Sequence, residues 1–180
     1  MQIEEVVELS IHGAKLIGFG SFSDERGYFS EPYRESQLRE VIQGFRCVQV
    51  NQSMSKPTTL RGLHWQSHGQ MGKLVRVLSG KMFDLLLDVR TYSETFGKAL
   101  VVPIGDERTW IWVPPGVAHG NYFPVETKIE YLCTAEYNKV GEHCICPLSV
   151  FELSWFGVDS CIISEKDSNA PTFEEWKDSQ

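Results

Sequence analysis

Apolar and polar residues alternate with a period of two along most of this chain, the pattern of strands that bury one face. Residues 6–11 alternate loosely, and 14–19 follow a His12-Gly13 turn. From Phe45 onward the pattern is nearly unbroken. Residues 46–53 and 60–65 flank a loop at 55–59. Residues 73–78 follow a turn at 67–72, and 98–103, 109–113 and 126–136 alternate again. Residues 82–89 form a continuous apolar run, which suits a strand covered on both faces. Pro114-Pro115-Gly116 makes a rigid turn into a further strand. Two stretches break the period. Leu38, Val41 and Ile42, spaced by three and four, predict a short helix over 35–43 stopped by Gly44. A second short helix is predicted near 172–176, with Thr172 as its N-cap.

Many short strands with Gly and Pro turns predict an all-β fold. The double-stranded β-helix, or jelly roll, removes exposed edges and leaves a mouth for a small ligand. One domain spans residues 1–180: N-terminal strands over about 1–45, the jelly roll over about 45–150 and a C-terminal tail over about 151–180. A short turn, Asp24-Glu25-Arg26-Gly27, leads into an extended aromatic segment.

The net charge of −7 without a basic run excludes a nucleic-acid partner held by phosphate contacts. A local basic cluster remains compatible with a small anionic ligand. Five cysteines, an odd number without a C-x-x-C pair, fit reduced, mostly buried thiols of a cytoplasmic protein. The start has no signal-peptide pattern, and no apolar stretch approaches the ~20 residues of a membrane span, so a membrane role is not expected.

His64 is the first candidate for chemistry, a base whose ordinary pKa lies near neutrality. Strict alternation puts Leu60, Gly62 and His64 on one face of their strand and Arg61 and Leu63 on the other. Arg61 and His64 therefore diverge unless a bulge intervenes. Lys73 and Val75 share one face of the next strand, Leu74 and Arg76 the other. Pro114-x-Gly116-x-x-His119 resembles the second histidine motif of the cupin jelly rolls, which often binds a metal. The first motif is incomplete: His64 and His68, four apart on a strand, lie about 13 Å from each other, and no metal is expected.

Seven motifs in order give a specific resemblance. They are residues 24–31 (Asp-Glu-Arg-Gly-Tyr-Phe-Ser-Glu), 49–55, 60–66, 72–77, 83–97 (with Asp84, Asp88, Arg90 and Gly97), 112–120 and 164–167. Over about residues 20–170 the chain resembles the dTDP-4-dehydrorhamnose 3,5-epimerase family of cupin-like enzymes. The resemblance implies acid–base epimerisation at C3 and C5 of a nucleotide-linked 4-keto-6-deoxyhexose, without metal or redox cofactor, in deoxysugar and lipopolysaccharide biosynthesis. It implies His64 as base, Asp167 as its orienting acid, Lys73 near the enolate oxygen and Tyr131 as proton donor. It also implies His119 on the sugar, Gln49 and Asn51 lining the sugar pocket, and Arg61 and Arg26 on the diphosphate. Phe29 and Glu31 would stand at the nucleotide end, supplied by the partner of a homodimer through exchanged N-terminal strands. A single-centre epimerase or keto-isomerase on another nucleotide sugar is the alternative, followed by a metal-dependent cupin enzyme. Three positions depart from the family pattern: Asn121 replaces an aromatic, Glu136 replaces the first of two tyrosines, and 144–147 lacks a tryptophan-acid stretch.

Overall fold

A computed structural model describes residues 2–180. In chain order, β1 (Ile3–Glu8) and β2 (Lys15–Phe19) are followed by a hairpin of β3 (Ser21–Asp24) and β4 (Gly27–Ser30), then α1 (Glu35–Val41). The central strands are β5 (Gln49–Ser55), β6 (Thr59–Gln66), β7 (Lys73–Ser79) and β8 (Met82–Asp88). They continue with β9 (Ala99–Ile104), β10 (Thr109–Val113), β11 (Val117–Phe123), β12 (Thr127–Cys133) and the short β13 (Glu142–Cys144). Two small helices close the chain, α2 (Glu165–Ser168) and α3 (Phe173–Asp178).

The strands pair antiparallel into two facing sheets. One has six strands in the order β1-β2-β10-β7-β12-β5, the other five in the order β13-β6-β11-β8-β9. This is the jelly roll expected from the alternation. Three apolar clusters follow from which faces are covered. Val75, Val77, Leu86, Ile111, Val117, Phe123 and Ile129 fill the space between the sheets. Leu38, Ile42 and Phe45 of the α1 region pack with Leu74, Trp110 and Trp112 on the outside of the six-stranded sheet. The outer face of the five-stranded sheet is covered by the tail, where Phe151, Phe173 and Trp176 meet Leu60, Leu63, Trp65, Leu85 and Tyr122. β8 therefore faces apolar partners on both sides, as its continuous run predicts.

The expected helices form with small changes of extent. α1 ends two residues earlier than the period suggests, and Gly44 turns the chain at φ +71°. α3 starts with a capping box in which Thr172 and Glu175 satisfy each other's backbone N–H groups. The loop before β6 is tighter than expected, because Ser55 and Thr59 both belong to strands. Among the described residues no helix is long and apolar enough to cross a membrane. All five cysteines are free, and only Cys133 is fully buried, the other four being half-buried rather than interior.

Candidate active site

The interior is filled by apolar side chains at one end and open at the other. The open end holds a cavity of about 620 Å³ lined by residues of β6, β7, β11 and β12 and by the 162–167 segment. A second chamber of about 560 Å³, lined by β5, the end of β6 and the loop through Tyr137, adjoins it; His64, Lys73 and Tyr131 border both.

β6 does not alternate strictly. His64 pairs with His119 of β11, but Arg61 pairs with Asn121, so three steps on β6 match two on β11. One extra residue at Gly62-Leu63 makes a β-bulge. Leu60 and Leu63 consequently both enter the outer apolar cluster, and Arg61 and His64 both line the cavity. The divergence of Arg61 and His64 expected from alternation is thus corrected: the bulge shifts the phase by one residue. Gly62 permits it, with φ +102° and no side chain. A Cβ there would stand 2.5 Å from the Cα of Gly120 and 2.7 Å from the carbonyl oxygen of His119.

Asp167 reaches this strand from more than a hundred residues away. Residues 161–163 run beside the start of β6, with Leu60 N–H donating to the Ile162 carbonyl at 2.8 Å and Ile162 N–H to the Thr58 carbonyl at 2.9 Å. Ser164 then caps α2, accepting the Asp167 N–H at 3.1 Å. Asp167 is thereby turned inward, buried to 4% exposure. Its Oδ1 lies 2.7 Å from His64 Nε2, and its Oδ2 accepts the Gly62 N–H at 3.3 Å. Burial alone would raise the Asp167 pKa. The hydrogen bond and charge of His64, with the Gly62 and Ser164 bonds, hold it below the usual carboxylate value. An ionised Asp167 makes Nε2 the protonated nitrogen of a neutral His64 and leaves the Nδ1 lone pair free.

Facing this dyad, the six-stranded sheet contributes Lys73 and Tyr131. Lys73 shares its face with Val75, as alternation predicts, and donates through Nζ to the His64 carbonyl at 3.3 Å. Burial lowers its pKa. Tyr131 is half-buried, and burial, with the nearby Cys133, raises its phenol pKa above 10 against opposing effects of Arg61 and Asn51. Gln49 and Asn51 lie on β5 beside it. Gln49 Nε2 donates to Asn51 Oδ1 at 3.0 Å, and Gln49 Oε1 accepts the Tyr137 N–H at 2.9 Å. At the cavity mouth Arg61 is exposed and anchored by Ser55 Oγ at 3.0 Å, close to Lys56 and Lys166.

His119 stands beside His64 on β11 and is held by Asp84, its Nε2 lying 2.8 Å from Oδ1. The Asn121 amide donates to the same oxygen. Asp84, named in the sequence only as part of the 83–97 motif, had been given no role. A carboxylate inside a run covered on both faces needs partners, and that was the available signal. Cys144 was also missed as a neighbour of the dyad. β13 pairs it with His64, and its thiol donates to Asp167 Oδ1 at 3.6 Å. Burial and the charge of Asp167 push that thiol up to about 12. His64, Cys144 and Asp167 thus present three donor atoms within 4.8 Å of one another, a set the sequence spacing does not reveal. His68 stays apart, bonded to Ser67 at the protein surface.

The N-terminal residues do not reach this cavity within one chain. Arg26 and Phe29 belong to the β3–β4 hairpin, where Arg26 pairs with Asp24 at 2.5 Å, and Glu31 pairs with Arg34 at 2.5 Å. Glu136 is exposed, and Tyr137 rather than Glu136 lines the second chamber.

The family model described as dTDP-4-dehydrorhamnose 3,5-epimerase matches residues 8–175. A relative of that name from Methanothermobacter thermautotrophicus is 39% identical over 168 residues, covering 91% of this chain and 91% of its own. The crystal structure of the enzyme of the same name from Sulfolobus tokodaii superposes with a TM-score of 0.88 at 31% identity, over 97% of both chains. A Legionella pneumophila dTDP-6-deoxy-D-glucose-3,5-epimerase in complex with dTDP-4-keto-L-rhamnose has a TM-score of 0.84 at 32% identity, over 94% of this chain and 93% of that one. With sequence, fold and cavity in agreement, the chain belongs to the dTDP-4-dehydrorhamnose 3,5-epimerase family.

Proposed function

We propose that this isomerase inverts C3 and C5 of a dTDP-linked 4-keto-6-deoxyhexose, the chemistry of dTDP-4-dehydrorhamnose 3,5-epimerases. The observation that carries the reading is the part-buried His64–Asp167 dyad on one wall of a cavity whose opposite wall carries Tyr131. The 4-keto group acidifies the hydrogens on its two neighbouring carbons, so proton removal needs a base and enolate stabilisation but no electron carrier.

His64 acts as the base through Nδ1. Asp167 fixes that tautomer and stabilises the imidazolium that forms. Lys73, held with its Nζ against the His64 carbonyl, stabilises the enolate oxygen. Tyr131 returns a proton from the other side of the ring, which inverts the centre; its raised pKa keeps the phenol protonated and ready to donate. His119, oriented by Asp84, hydrogen-bonds the sugar, and Asn51 and Gln49 line the adjoining chamber. Arg61 takes the diphosphate at the mouth, where a guanidinium gives bidentate anion contacts.

Arg26, Phe29 and Glu31 serve the nucleotide end of a second copy's cavity, in a homodimer built by exchange of N-terminal strands. Support comes from exposed Phe22, Tyr28 and Phe29 at 66%, 60% and 67% on a hairpin that pairs with neither large sheet. Free thiols fit a cytoplasmic enzyme.

The test is turnover of dTDP-4-keto-6-deoxyglucose in D₂O. Deuterium is expected at both C3 and C5, and His64→Ala is expected to abolish its entry. Label at a single carbon would replace the reading by a single-centre epimerase, and full activity of His64→Ala would refute the base.

A further inference from the structure

The trio of His64, Cys144 and Asp167 is more than the acid–base chemistry requires. The base and its orienting acid form a complete pair. Cys144 adds a sulfur on the neighbouring strand β13, aimed at the same carboxylate oxygen. The three donors come from β6, β13 and α2, so their convergence is built by strand pairing and by the capped turn at Ser164 rather than by a flexible loop.

We propose that these three side chains form a binding site for a zinc-class divalent cation, and that occupancy switches the enzyme off. Imidazole nitrogen, carboxylate oxygen and thiolate sulfur are the donor types that zinc takes, with one coordination position left for water from the cavity. Two of the three donor–donor distances can be set against a tetrahedral ion, the third lying within 4.8 Å. With Zn–O of about 2.0 Å and Zn–S of about 2.3 Å, oxygen and sulfur should stand about 3.5 Å apart. Cys144 Sγ and Asp167 Oδ1 are 3.6 Å apart already. The corresponding nitrogen–oxygen edge is about 3.3 Å. His64 Nε2 and Asp167 Oδ1 stand at 2.7 Å, and a partly exposed imidazole has room to withdraw the remaining half ångström.

The protons balance as follows. The Cys144 thiol loses its proton to solvent as the sulfur binds the ion. The Nε2 proton of His64 leaves that nitrogen, and solvent supplies one to Nδ1, so the imidazole remains neutral and changes tautomer. One proton is released in total. The bound ion, Asp167 carboxylate and Cys144 thiolate sum to zero charge, which a half-buried site accepts more readily than an uncompensated cation. Inhibition follows from the tautomer. With Nε2 on the metal and a hydrogen on Nδ1, His64 has no lone pair for the substrate carbon. The inhibitory consequence rests on His64 being the base; binding itself does not.

Cobalt(II) and zinc(II) titrations of the full-length, metal-stripped protein test this. Wild type is expected to bind one ion per chain, to show a thiolate-to-cobalt charge-transfer band in the near ultraviolet, and to release one proton per zinc in calorimetry across buffers. Cys144→Ser is expected to remove the band and weaken zinc at least about tenfold. Cys146→Ser, on the far side of Ile145, is expected to change neither and serves as the folded control. Absence of stoichiometric binding, or a cobalt band that survives Cys144→Ser, overturns the site. Stoichiometric zinc with undiminished epimerase turnover overturns the switch. A bound ion in a protein inactive on every keto sugar leaves the site standing and refutes the epimerase reading alone.

Discussion

Asp167→Asn isolates what the buried carboxylate does for His64. The substitution keeps the side-chain shape and removes the charge that lies 2.7 Å from His64 Nε2. At an effective dielectric of about 20, an imidazolium and a carboxylate at that spacing attract by roughly 6 kcal/mol. The His64 side chain is 30% exposed, so water screens part of this, and about 3 kcal/mol is a fair working value. That energy appears only when the imidazole has taken a proton, so it lowers the barrier and leaves substrate binding untouched. It corresponds to a loss in kcat of about 150-fold. An asparagine that turns its NH2 toward Nε2 would also hold the other tautomer. In acid–base triads the equivalent exchange costs about 10⁴. The expected outcome is a fall in kcat between about 10² and 10⁴, with KM changed by less than about threefold. Steady-state turnover of dTDP-4-keto-6-deoxyglucose, coupled to a reductase that consumes the product, reads both constants. Circular dichroism checks the fold, since Asp167 also accepts the Gly62 N–H. A kcat within about fivefold of wild type, or a change confined to KM, would show that Asp167 does not act through His64.

Three other outcomes follow from the same structure. Tyr131→Phe keeps the packing and removes the donor, so in D₂O label should still exchange while inverted product falls by about 10²–10⁴; equal loss of both would place the base on Tyr131 instead. Gly62→Ala puts a Cβ within 2.7 Å of two backbone atoms at φ +102°, which should cost about 4 kcal/mol and lower the melting temperature by about 10 °C; a fall under about 3 °C would mean the bulge is not constrained. Asp88 is fully buried, and although burial opposes its ionisation, its bonds to Arg90, Ser93 and Thr95 hold its pKa at about 2, below the ordinary 3.8. Its native pKa is depressed, so its contribution of about 2 kcal/mol is complete above about pH 4 and lost as pH falls toward 2. The stability gap between wild type and Asp88→Asn should therefore narrow over that range in acid melts, and a constant gap would contradict the assignment.

The elements were legible because their causes are local. Alternation at 73–78 put Lys73 and Val75 on one face and Leu74 and Arg76 on the other, and the structure turns the second pair outward, with Arg76 4.9 Å over the Trp110 ring and paired with Glu130. Leu38 and Ile42 at helical spacing, and Thr172 before Glu175, produced α1 and the capped α3 for the same reason: neighbouring residues supply both the pattern and the partner. The His64 region was legible only as a motif. Its resemblance to the epimerases named Asp167, a residue that its own neighbourhood would describe as a solvated tail position.

By itself, then, the sequence determined the strands, which side chains share a face within them, the Thr172 cap and, through motif order, the family. Tertiary structure decided what depends on pairing between distant segments. Whether Arg61 and His64 share a face hinged on one extra residue against β11, which the register of that pair and the close approach of Gly120 to Gly62 reveal. Cys144 became a neighbour of the dyad because β13 pairs with β6 across about 80 residues of chain. Asp167 became a buried partner because residues 161–163 add themselves to the start of β6. Periodicity reports which way a side chain points within its own strand. It carries no information about the strand that will lie alongside, and the chemistry of this site is made between strands.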